Sequence, residues 1–386
     1  MEFIPYGRQQ ISDRDVEAVV EVLRSDFLTQ GPAVPAFEKT LAAYCGAAHA
    51  VAVNSATSAL HLACMALGVG PGDTVWTSPN TFVASANCAR FCGASVDFVD
   101  IDPKTYNMSA AALEEKLEKA EKTGKLPKVL IPVHFSGQSC DMRAIGQMGQ
   151  RYGFRILEDA SHAIGGSYEG APVGGCRYSD IAVFSFHPVK IITTGEGGAA
   201  TTNDPALARR MELLRSHGVT REAGEMTRES DGPWYYQQIE LGFNFRMTDI
   251  QAALGGSQLQ RIDRWVARRH QIADAYDRDL AELPLATPFR SPEGRSALHL
   301  YVVLLPDGSG RQRRRVFDAL RAGGIGVNVH YIPVHMQPDF ARYGFREGDF
   351  PVAEAYYRRC LSLPMFPGLT DEQRSRVVTL LRGSLA

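Results

Sequence analysis

The chain has 386 residues, of which 45% are hydrophobic and 22% are charged, a composition that can bury a sizeable core and excludes a disordered protein. Its 41 Lys and Arg residues nearly balance its 43 Asp and Glu residues, so the net charge of -2 offers no basic surface to a nucleic acid or an anionic membrane. No segment approaches the roughly 20 apolar residues that a membrane span needs. We therefore expect a protein with neither a nucleic-acid nor a membrane partner.

The seven cysteines are odd in number and scattered along the chain, which argues against a secreted disulfide framework and favours a cytoplasmic location. Cys88 and Cys92 resemble a metal-binding pair. Their C-x3-C spacing has no second pair, however, and they fall in the helix-like run TFVASANCARFC. We interpret them as core-filling residues and predict no metal site.

The first predicted element is an amphipathic helix in ISDRDVEAVVEVLRS. Ser12 and Asp15 have capping-box spacing, and apolar residues recur at positions 16, 19, 20 and 23. We expect this N-terminal helix to pack on another element.

From about residue 50, short β-branched runs alternate with helical patterns, which indicates βαβ units and a mostly parallel sheet. The strand-like runs are VAV, TVWTSP, VDFVDI, KVLIPV, FRILED and DIAVFSF, with a helix near Met142 to Tyr152 and a further strand near Gly197 to Thr202. Residues 1–250 are thus predicted to form an N-terminal segment and a large α/β domain.

Thr248 and Gln251 open a long helical pattern that ends at Pro284, with Gly255 and Gly256 as the place where it could bend. The remainder is predicted as strand LHLYVVLL, helix Arg311 to Ala322, strand IGVNVHYI and two helices, the last capped by Thr370 and Gln373. Residues 251–386 would then be a connecting helix and a smaller α+β domain.

Residues 54–58 combine a strand end, small hydroxyl side chains and a helix start. Free backbone amides at a helix N-terminus form a phosphate-binding cradle, although ordinary helix capping explains the same residues. Neither G-x-x-x-x-G-K-[ST] nor G-x-G-x-x-G occurs, which argues against ATP and NAD.

Two later strands end in chemically active side chains. Asp159 closes FRILED, Ser185 closes DIAVFSF, and Lys190 follows among apolar neighbours that favour a Schiff-base nucleophile. Taken singly, a loop carboxylate and a surface lysine are ordinary. Together with the cradle they match pyridoxal 5'-phosphate, which needs an amine for its aldehyde, a carboxylate for its ring nitrogen and donors for its phosphate. Phe82 is the candidate to stack on the ring, and a core position for it remains open.

These segments resemble the DegT/DnrJ/StrS family of nucleotide-sugar aminotransferases over essentially the whole chain. The resemblance rests on IPYGRQ, FLTQGP, VNSATSALHLA, SPNTFVASAN, ILEDASHAIG, FSFHPVKIITTGEGG, ELGFNFRMTDIQAALG and VHYIPVH. It implies an α/β protein of the fold-type I, aspartate aminotransferase-like class of pyridoxal-phosphate transferases, with a large mixed, mostly parallel sheet and a small C-terminal α+β domain.

The resemblance also implies residue roles. Lys190 would be the Schiff-base lysine and proton shuttle, Asp159 the pyridinium partner, and His162 a contact on the hydroxyl side of the ring. The phosphate would be held by Ala56, Thr57 and Ser185. Asn244 would reach the cofactor of a neighbouring subunit, so the active unit should be a homodimer with shared active sites.

Further positions match those around the sugar nucleotide in the family: Tyr6, Leu28, Thr29, Gln30, Gly31, His330, Tyr331, Ile332 and Pro333. For His330 and Tyr331, an ordinary strand with a polar edge remains an alternative. Ile191 departs from the polar residue or proline of many relatives, and we expect it to tune the pocket. Lys190 itself is retained, whereas a dehydrating branch of the family carries histidine there, so transamination is the expected reaction.

Within the family, FSFHPVKIITTGEGG combined with GPWYYQQIELGFNFRMTDIQ most resembles the enzymes of pseudaminic acid biosynthesis. This likeness implies amino transfer from L-glutamate to C4 of UDP-2-acetamido-2,6-dideoxy-β-L-arabino-hex-4-ulose, giving UDP-4-amino-4,6-dideoxy-N-acetyl-β-L-altrosamine. Alternatives are the same chemistry on a GDP- or dTDP-linked 4-keto-6-deoxy sugar or on a 3-keto sugar, and a non-catalytic regulator that binds the cofactor or a sugar nucleotide. A nicotinamide oxidoreductase is disfavoured by the missing glycine fingerprint.

Overall fold

The structure, a computed structural model, describes residues 2–385. Its strands are β1 (His49–Val53), β2 (Thr74–Thr77), β3 (Ser95–Phe98), β4 (Val129–Ile131), β5 (Arg155–Asp159), β6 (Ser167–Tyr168), β7 (Ala171–Pro172), β8 (Ile181–Ser185), β9 (Gly198–Thr202), β10 (Val219–Thr220), β11 (Gln237–Gln238), β12 (Gly294–Arg295), β13 (Tyr301–Leu304) and β14 (Cys360–Leu363).

The α-helices are α1 (Asp13–Leu23), α2 (Ala33–Cys45), α3 (Ala56–Ala66), α4 (Ala84–Phe91), α5 (Ala110–Thr123), α6 (Met142–Tyr152), α7 (Pro205–Arg215), α8 (Asp249–Leu259), α9 (Ile262–Leu280), α10 (Arg311–Ala322), α11 (Pro338–Ala341), α12 (Pro351–Arg359) and α13 (Asp371–Leu385). Short 3-10 turns occur at Phe135–Gly137 and Val334–Met336. The predicted helices at 142–152 and 311–322 are confirmed with their predicted bounds.

A seven-stranded sheet in the order β1-β9-β8-β5-β4-β2-β3 forms the centre of the fold. Strand β9 is antiparallel to both of its neighbours, and every other pair in the sheet is parallel. The predicted mixed, mostly parallel sheet is therefore confirmed. Every residue of β8 and β9 is buried, as expected for strands covered by helices on both faces. The carboxyl ends of β1, β2, β5 and β8 meet at one edge of this sheet.

Helix α1 begins as predicted but packs by a different face. The Ser12 backbone N–H donates to the Asp15 carboxylate at 2.8 Å, which completes the capping box. Asp15 is also the buried residue of the helix, because it pairs with Arg261 and accepts a hydrogen bond from Gln258 Nε2 at 2.9 Å. Val16 and Leu23, from the apolar stripe, are 52% and 54% exposed. The expectation that this helix packs on another element is confirmed, because α1 lies against α8, although part of its apolar stripe stays open to solvent.

The predicted long helix after Thr248 is two helices. The chain breaks at residues 260 and 261, between α8 and α9, and runs as regular helix through Gly255 and Gly256. Gly255 serves close packing instead, since a Cβ there would lie 2.9 Å from Cζ of Phe37. The missing side chain lets α8 approach α2, which explains a glycine without a bend.

The predicted strand IGVNVHYI is replaced by isolated bridges. Ile325 pairs with Ile4 and Asn328 pairs with Ser362, and the intervening residues leave strand geometry. The partner of β13 is instead β14, an antiparallel strand that continues directly from α12. No pattern in the sequence separated β14 from the helix before it.

Helix α9 joins two hydrophobic cores. Ile262 and Val266 in its first half pack in the core beneath the central sheet with Phe186. Ile272 and Tyr276 in its second half belong to the core formed with β13, β14, α10 and α13. The division of the chain at residue 250 stays a prediction. None of the helices within residues 2–385 is both long and apolar enough to cross a membrane.

Candidate active site

A cavity of about 920 Å³ opens at the carboxyl edge of the central sheet. Its walls come from the ends of β1, β5 and β8, the turn after β2, and the segment 328–331. The sequence-predicted residues that line it are Tyr6, Ala56, Thr57, Phe82, Asp159, His162, Ser185, Lys190, His330 and Tyr331. Most of these residues were predicted because open α/β sheets bind ligands at the carboxyl ends of their strands.

The start of α3 leaves two backbone amides free. Ser55 is the N-cap, and its hydroxyl accepts from the Ser58 N–H at 3.1 Å. The first intrahelical bond runs from the Ala59 N–H to the Ser55 carbonyl. The N–H groups of Ala56 and Thr57 precede that bond and face the cavity end of the helix, where an anion is favoured by the helix dipole. Helix capping and a phosphate cradle are thus compatible, because the Ser55 hydroxyl makes the cap and the N–H groups of Ala56 and Thr57 stay free for an anion.

Gly198 brings the cradle and Ser185 together. It starts β9, where it is paired with Val53 of β1 on one side and with Ser185 of β8 on the other. A Cβ at Gly198 would lie 2.4 Å from the Ala56 nitrogen, so only glycine permits this approach. One wall of the cavity is therefore shared by Ser185, by the free amides of Ala56 and Thr57, and by the turn after β8 that carries Lys190.

Asp159 is held by one donor on each carboxylate oxygen. Its Oδ2 accepts the Ser85 hydroxyl at 2.6 Å, and its Oδ1 accepts the Ser161 N–H at 3.1 Å. The side chain is only 5% exposed, and what is exposed faces the cavity. Ser85 was missed from the sequence, because a serine in the first turn of α4 is typical of any helix start.

Lys190 projects from the turn after β8, where its backbone N–H donates to the His187 carbonyl at 2.9 Å. Burial lowers the pKa of Lys190 to about 8, and the nearby Asp159 carboxylate opposes that change. A substantial fraction of the amine is therefore neutral near physiological pH, as a nucleophile requires. Ile191 is buried among Phe37 and Phe186, away from the cavity, so the expectation that it tunes the pocket was wrong.

His162 has a defined tautomer. Its Nδ1 accepts the Ser136 N–H at 3.2 Å, so the ring proton is on Nε2, which lies 3.1 Å from the Tyr331 hydroxyl. Burial and the positive charge of Lys190 hold the pKa of His162 well below its usual range. His299, which the sequence did not reveal, stands beside it with ring centroids 4.5 Å apart.

Phe82 lies in the cavity and not in the core. Its side chain is 59% exposed, and its ring centroid is 6.5 Å from that of Tyr331. A large aromatic left open at the mouth of a cavity is available to stack on a flat ligand.

Some predicted residues lie outside the cavity lining. Leu28, Thr29, Gln30 and Gly31 are pinned to the start of α8, where the Gly31 N–H donates to Asp249 at 2.8 Å. That anchor is two residues from Gln251, which does line the cavity. Ile332 is exposed and Pro333 is buried, and neither reaches the lining.

Asn244 faces away from the cavity of its own chain. The rings of Phe243 and Phe245 on either side of it stack with centroids 4.8 Å apart and pack against His61. Alternation along the extended segment then turns the Asn244 side chain to the opposite, exposed face.

Further cavity residues were missed by the sequence analysis: Thr81, Ser161, Glu196, Gln251, His299 and Asn328. Thr81 and Ser161 adjoin predicted residues and could have been found as neighbours of strand ends. His299 and Asn328 come from apolar runs and carry no such signal.

The donor set fits pyridoxal phosphate. The free amides of Ala56 and Thr57 with Ser185 suit the phosphate, Asp159 suits the ring nitrogen, Lys190 suits the aldehyde, and Phe82 suits the ring face. When bound, this cofactor supplies an electron sink for bond breaking at the carbon that bears the amino group.

Comparisons with known proteins agree with this fit. The model of the DegT/DnrJ/EryC1/StrS aminotransferase family matches residues 9–382. The spore coat polysaccharide biosynthesis protein SpsC of Bacillus subtilis is 42% identical over 384 residues, 98% of this chain and 96% of SpsC. The GDP-perosamine synthase of Caulobacter vibrioides is 38% identical over 381 residues, 98% of this chain and 97% of that enzyme.

Among solved structures, the chain is similar to Helicobacter pylori PseC, an aminotransferase involved in the biosynthesis of pseudoaminic acid. The TM-score is 0.91 at 30% sequence identity, covering 100% of this chain and 99% of PseC.

Proposed function

The chain belongs to the DegT/DnrJ/EryC1/StrS aminotransferase family, and we propose that it moves an amino group from L-glutamate to C4 of UDP-2-acetamido-2,6-dideoxy-β-L-arabino-hex-4-ulose. It is a pyridoxal-phosphate-dependent sugar aminotransferase of fold type I. The observation that carries the proposal is the convergence of Lys190, Asp159 and two free helix amides on one cavity at the sheet edge. The product would be UDP-4-amino-4,6-dideoxy-N-acetyl-β-L-altrosamine.

The residues of the chain divide the work between binding and proton transfer. Lys190, with a pKa of about 8, is available as a neutral base to take the proton from the donor's α-carbon and to return one to C4 of the sugar. Asp159 would keep the ring nitrogen protonated, and Ala56, Thr57 and Ser185 would hold the phosphate. Phe82 would stack on the ring, so the face on which Lys190 acts would determine the configuration of the new amine.

The sugar side of the cavity supports an uncharged sugar ring. His330 is anchored through its Nδ1, 2.7 Å from the Ser362 hydroxyl, and burial lowers its pKa to about 3. Tyr6 and Asn328 stand beside it in the cavity wall. This neutral group of hydrogen-bonding side chains suits hydroxyl and acetamido substituents and would not select a charged one. The likeness to PseC supports the pseudaminic-pathway sugar.

A second candidate is the same reaction on a GDP-linked 4-keto-6-deoxy sugar. It is favoured by the GDP-perosamine synthase relative, whose identity of 38% exceeds the 30% of PseC. A dTDP-linked sugar is the third candidate, and a non-catalytic regulator is the rival outside the enzyme class.

A single-turnover comparison separates these candidates. The enzyme is first converted with glutamate to its amino-carrying form, and each 4-keto sugar nucleotide is then added separately while the absorbance of the lysine-bound cofactor is followed. Return of the absorbance with the UDP-linked L-arabino 4-keto sugar alone supports the proposal. Return with a GDP- or dTDP-sugar alone replaces the substrate. Failure of glutamate to convert the cofactor at all would favour the regulator.

A homodimer with shared active sites is also part of the proposal. Within residues 2–385, the lining of the cavity includes no arginine, although glutamate and a diphosphate are both anionic. Arg246 lies two positions beyond Asn244 and so on the same outward face of the extended segment, where both could enter the cavity of a second copy.

Several exposed apolar side chains are available to the same assembly. Val16 and Leu23 of α1 are more than half exposed, and Trp234 and Leu241 are more than 70% exposed. A cytoplasmic location is proposed as well, since all seven cysteines are free thiols and six of them are buried.

A further inference from the structure

We propose that Ser85 is a positioning residue for the cofactor, acting through Asp159. Its hydroxyl is the sole side-chain donor that the described structure gives to the Asp159 carboxylate, at 2.6 Å on Oδ2. That distance is typical of a hydroxyl bound to an ionised carboxylate. Ser85 is not itself part of the cavity lining, so its effect on a ligand there must pass through the lining residue Asp159.

Hydrogen-bond direction is fixed around Ser85. Thr81 Oγ1 lies 2.7 Å from Ser85 Oγ, and both residues are buried. A serine has one proton. Because it is donated to Asp159, Ser85 accepts from Thr81, and the two hydroxyls form a chain of hydrogen bonds from Thr81 through Ser85 to the carboxylate. This chain stabilises the charged form of Asp159.

The same turn also carries the ring-stacking residue. Phe82 follows Thr81 directly and precedes Ser85 by three positions, and the Ser85 backbone N–H donates to the Phe82 carbonyl oxygen at 3.3 Å. Ser85 thus ties the residue that faces the ring plane to the carboxylate that faces the ring nitrogen. Ser161 holds the other oxygen, Oδ1, through its backbone N–H, so the two carboxylate oxygens are fixed by separate elements, the first turn of α4 and the turn after β5.

The inference rests on the proposed cofactor role of Asp159, and its test measures cofactor binding besides turnover. The dissociation constant for pyridoxal phosphate is measured on cofactor-depleted protein, and kcat and KM on the loaded enzyme. Ser85→Ala should raise the dissociation constant and lower kcat by about tenfold to a hundredfold, as expected for loss of a hydrogen bond to a charged group. KM for glutamate should change little, because glutamate does not contact Ser85. Ser85→Thr, which restores a hydroxyl, should recover both quantities.

Thr77→Val is the matched control. Thr77 is as buried as Ser85, but its hydroxyl donates to the Ile131 carbonyl at 2.9 Å and does not contact Asp159. This variant should lower thermal stability while leaving cofactor affinity unchanged. Ser85→Cys keeps the volume and supplies a weaker donor, so it carries the same expectation as Ser85→Ala if that variant does not fold.

Each outcome decides a different question. Wild-type protein that does not bind pyridoxal phosphate would overturn the proposed role of the site itself. Wild-type binding together with a Ser85→Ala variant of unchanged affinity and kcat would overturn the role of Ser85 alone. Equal losses in Ser85→Ala and Thr77→Val would mean that Ser85 acts only through stability, and would also overturn it.

Discussion

The Tyr331 hydroxyl lies 3.1 Å from Nε2 of His162, joining a residue after β5 to one near the C-terminal part of the chain. Because Nδ1 of His162 already accepts the Ser136 N–H, Nε2 must donate and the tyrosine oxygen must accept. The tyrosine's own proton is then free for an acceptor in the cavity. Burial raises the pKa of Tyr331, so this donor keeps its proton over the whole working range of pH.

Lys190→Ala should abolish turnover and the absorbance of lysine-bound cofactor, because no other lysine lines the cavity within residues 2–385. Absorbance spectra and single-turnover assays measure the two losses. Lys128→Ala is the control, since Lys128 pairs with Asp73 at the far side of the sheet. A Lys190→Ala protein that still forms the lysine-bound absorbance would refute the assignment.

Asp159→Asn should lower turnover by roughly a hundredfold or more, since the charge opposite the ring nitrogen is lost with little change of shape. Glu158→Gln provides a neighbouring comparison on the same strand. Glu158 is buried against His134, 2.5 Å from its Nε2, and does not line the cavity. Its replacement should affect stability and not the chemical step. Equal kinetic losses in the two variants would contradict this division.

Lys190→Met should stabilise the cofactor-free protein at neutral pH. The folded-state pKa of Lys190, about 8, is below its ordinary value of 10.5, so the folded protein is penalised for the buried charge below pH 8. The penalty disappears as pH rises from about 8 to 10.5, and it is at most about 3 kcal/mol. Denaturant unfolding at pH 7 and pH 10 should show a gain for the variant that shrinks with rising pH. A gain independent of pH would refute the mechanism.

Gly198→Ala should weaken cofactor binding, because its Cβ would press on the Ala56 nitrogen and displace the free amides. We expect a loss of roughly 1–3 kcal/mol in stability as well, typical of overpacking. Cofactor titration and thermal unfolding measure these changes. Gly256→Ala is the counterpart, since nothing lies within 4 Å of a Cβ there and alanine favours a helix by about 1 kcal/mol. A Gly198→Ala protein with normal affinity would show that the cradle tolerates displacement.

Mixing two inactive variants should restore activity if the sites are shared. Lys190→Ala and Asn244→Ala each damage every site of their own homodimer. In the mixed dimer, one site receives an intact lysine from one subunit and an intact asparagine from the other. Random reassociation should therefore restore roughly a quarter of the wild-type sites. Assays before and after dissociation and remixing measure the recovery, and its absence would argue that Asn244 serves no neighbouring site.

The parts of the site that could be predicted from the sequence are those whose position depends only on a short segment of the chain. Asp159, Ser185 and Lys190 follow strands whose apolar runs are continuous, and parallel strands present their ends at one edge whatever the rest of the chain does. Helix α6 was predictable for a similar reason, since its pattern and its Asp141 cap are contained in one short segment.

The parts that sequence missed depend on distant packing. His299 reaches the cavity because the chain preceding β13 folds back against the loop that carries His162. Ser85 acquires its role only because the first turn of α4 comes within hydrogen-bond distance of the end of β5. The apolar stripe of α1 predicted that the helix packs on another element, but it could not reveal that α8 is the partner or that Asp15 is the residue it buries.

Helix α9 has a consequence for how the chain unfolds. Its 19 residues are continuous, and its two halves are embedded in different cores. Arg269, near its middle, is fully buried and donates to the carbonyls of Leu298, His299 and Met365, which fastens the helix to the segment before β13 and to the segment after β14. Unfolding of either core would leave the other half of α9 without support and would expose the carbonyls that Arg269 binds. The two parts of the chain are therefore expected to lose structure together, as one cooperative unit.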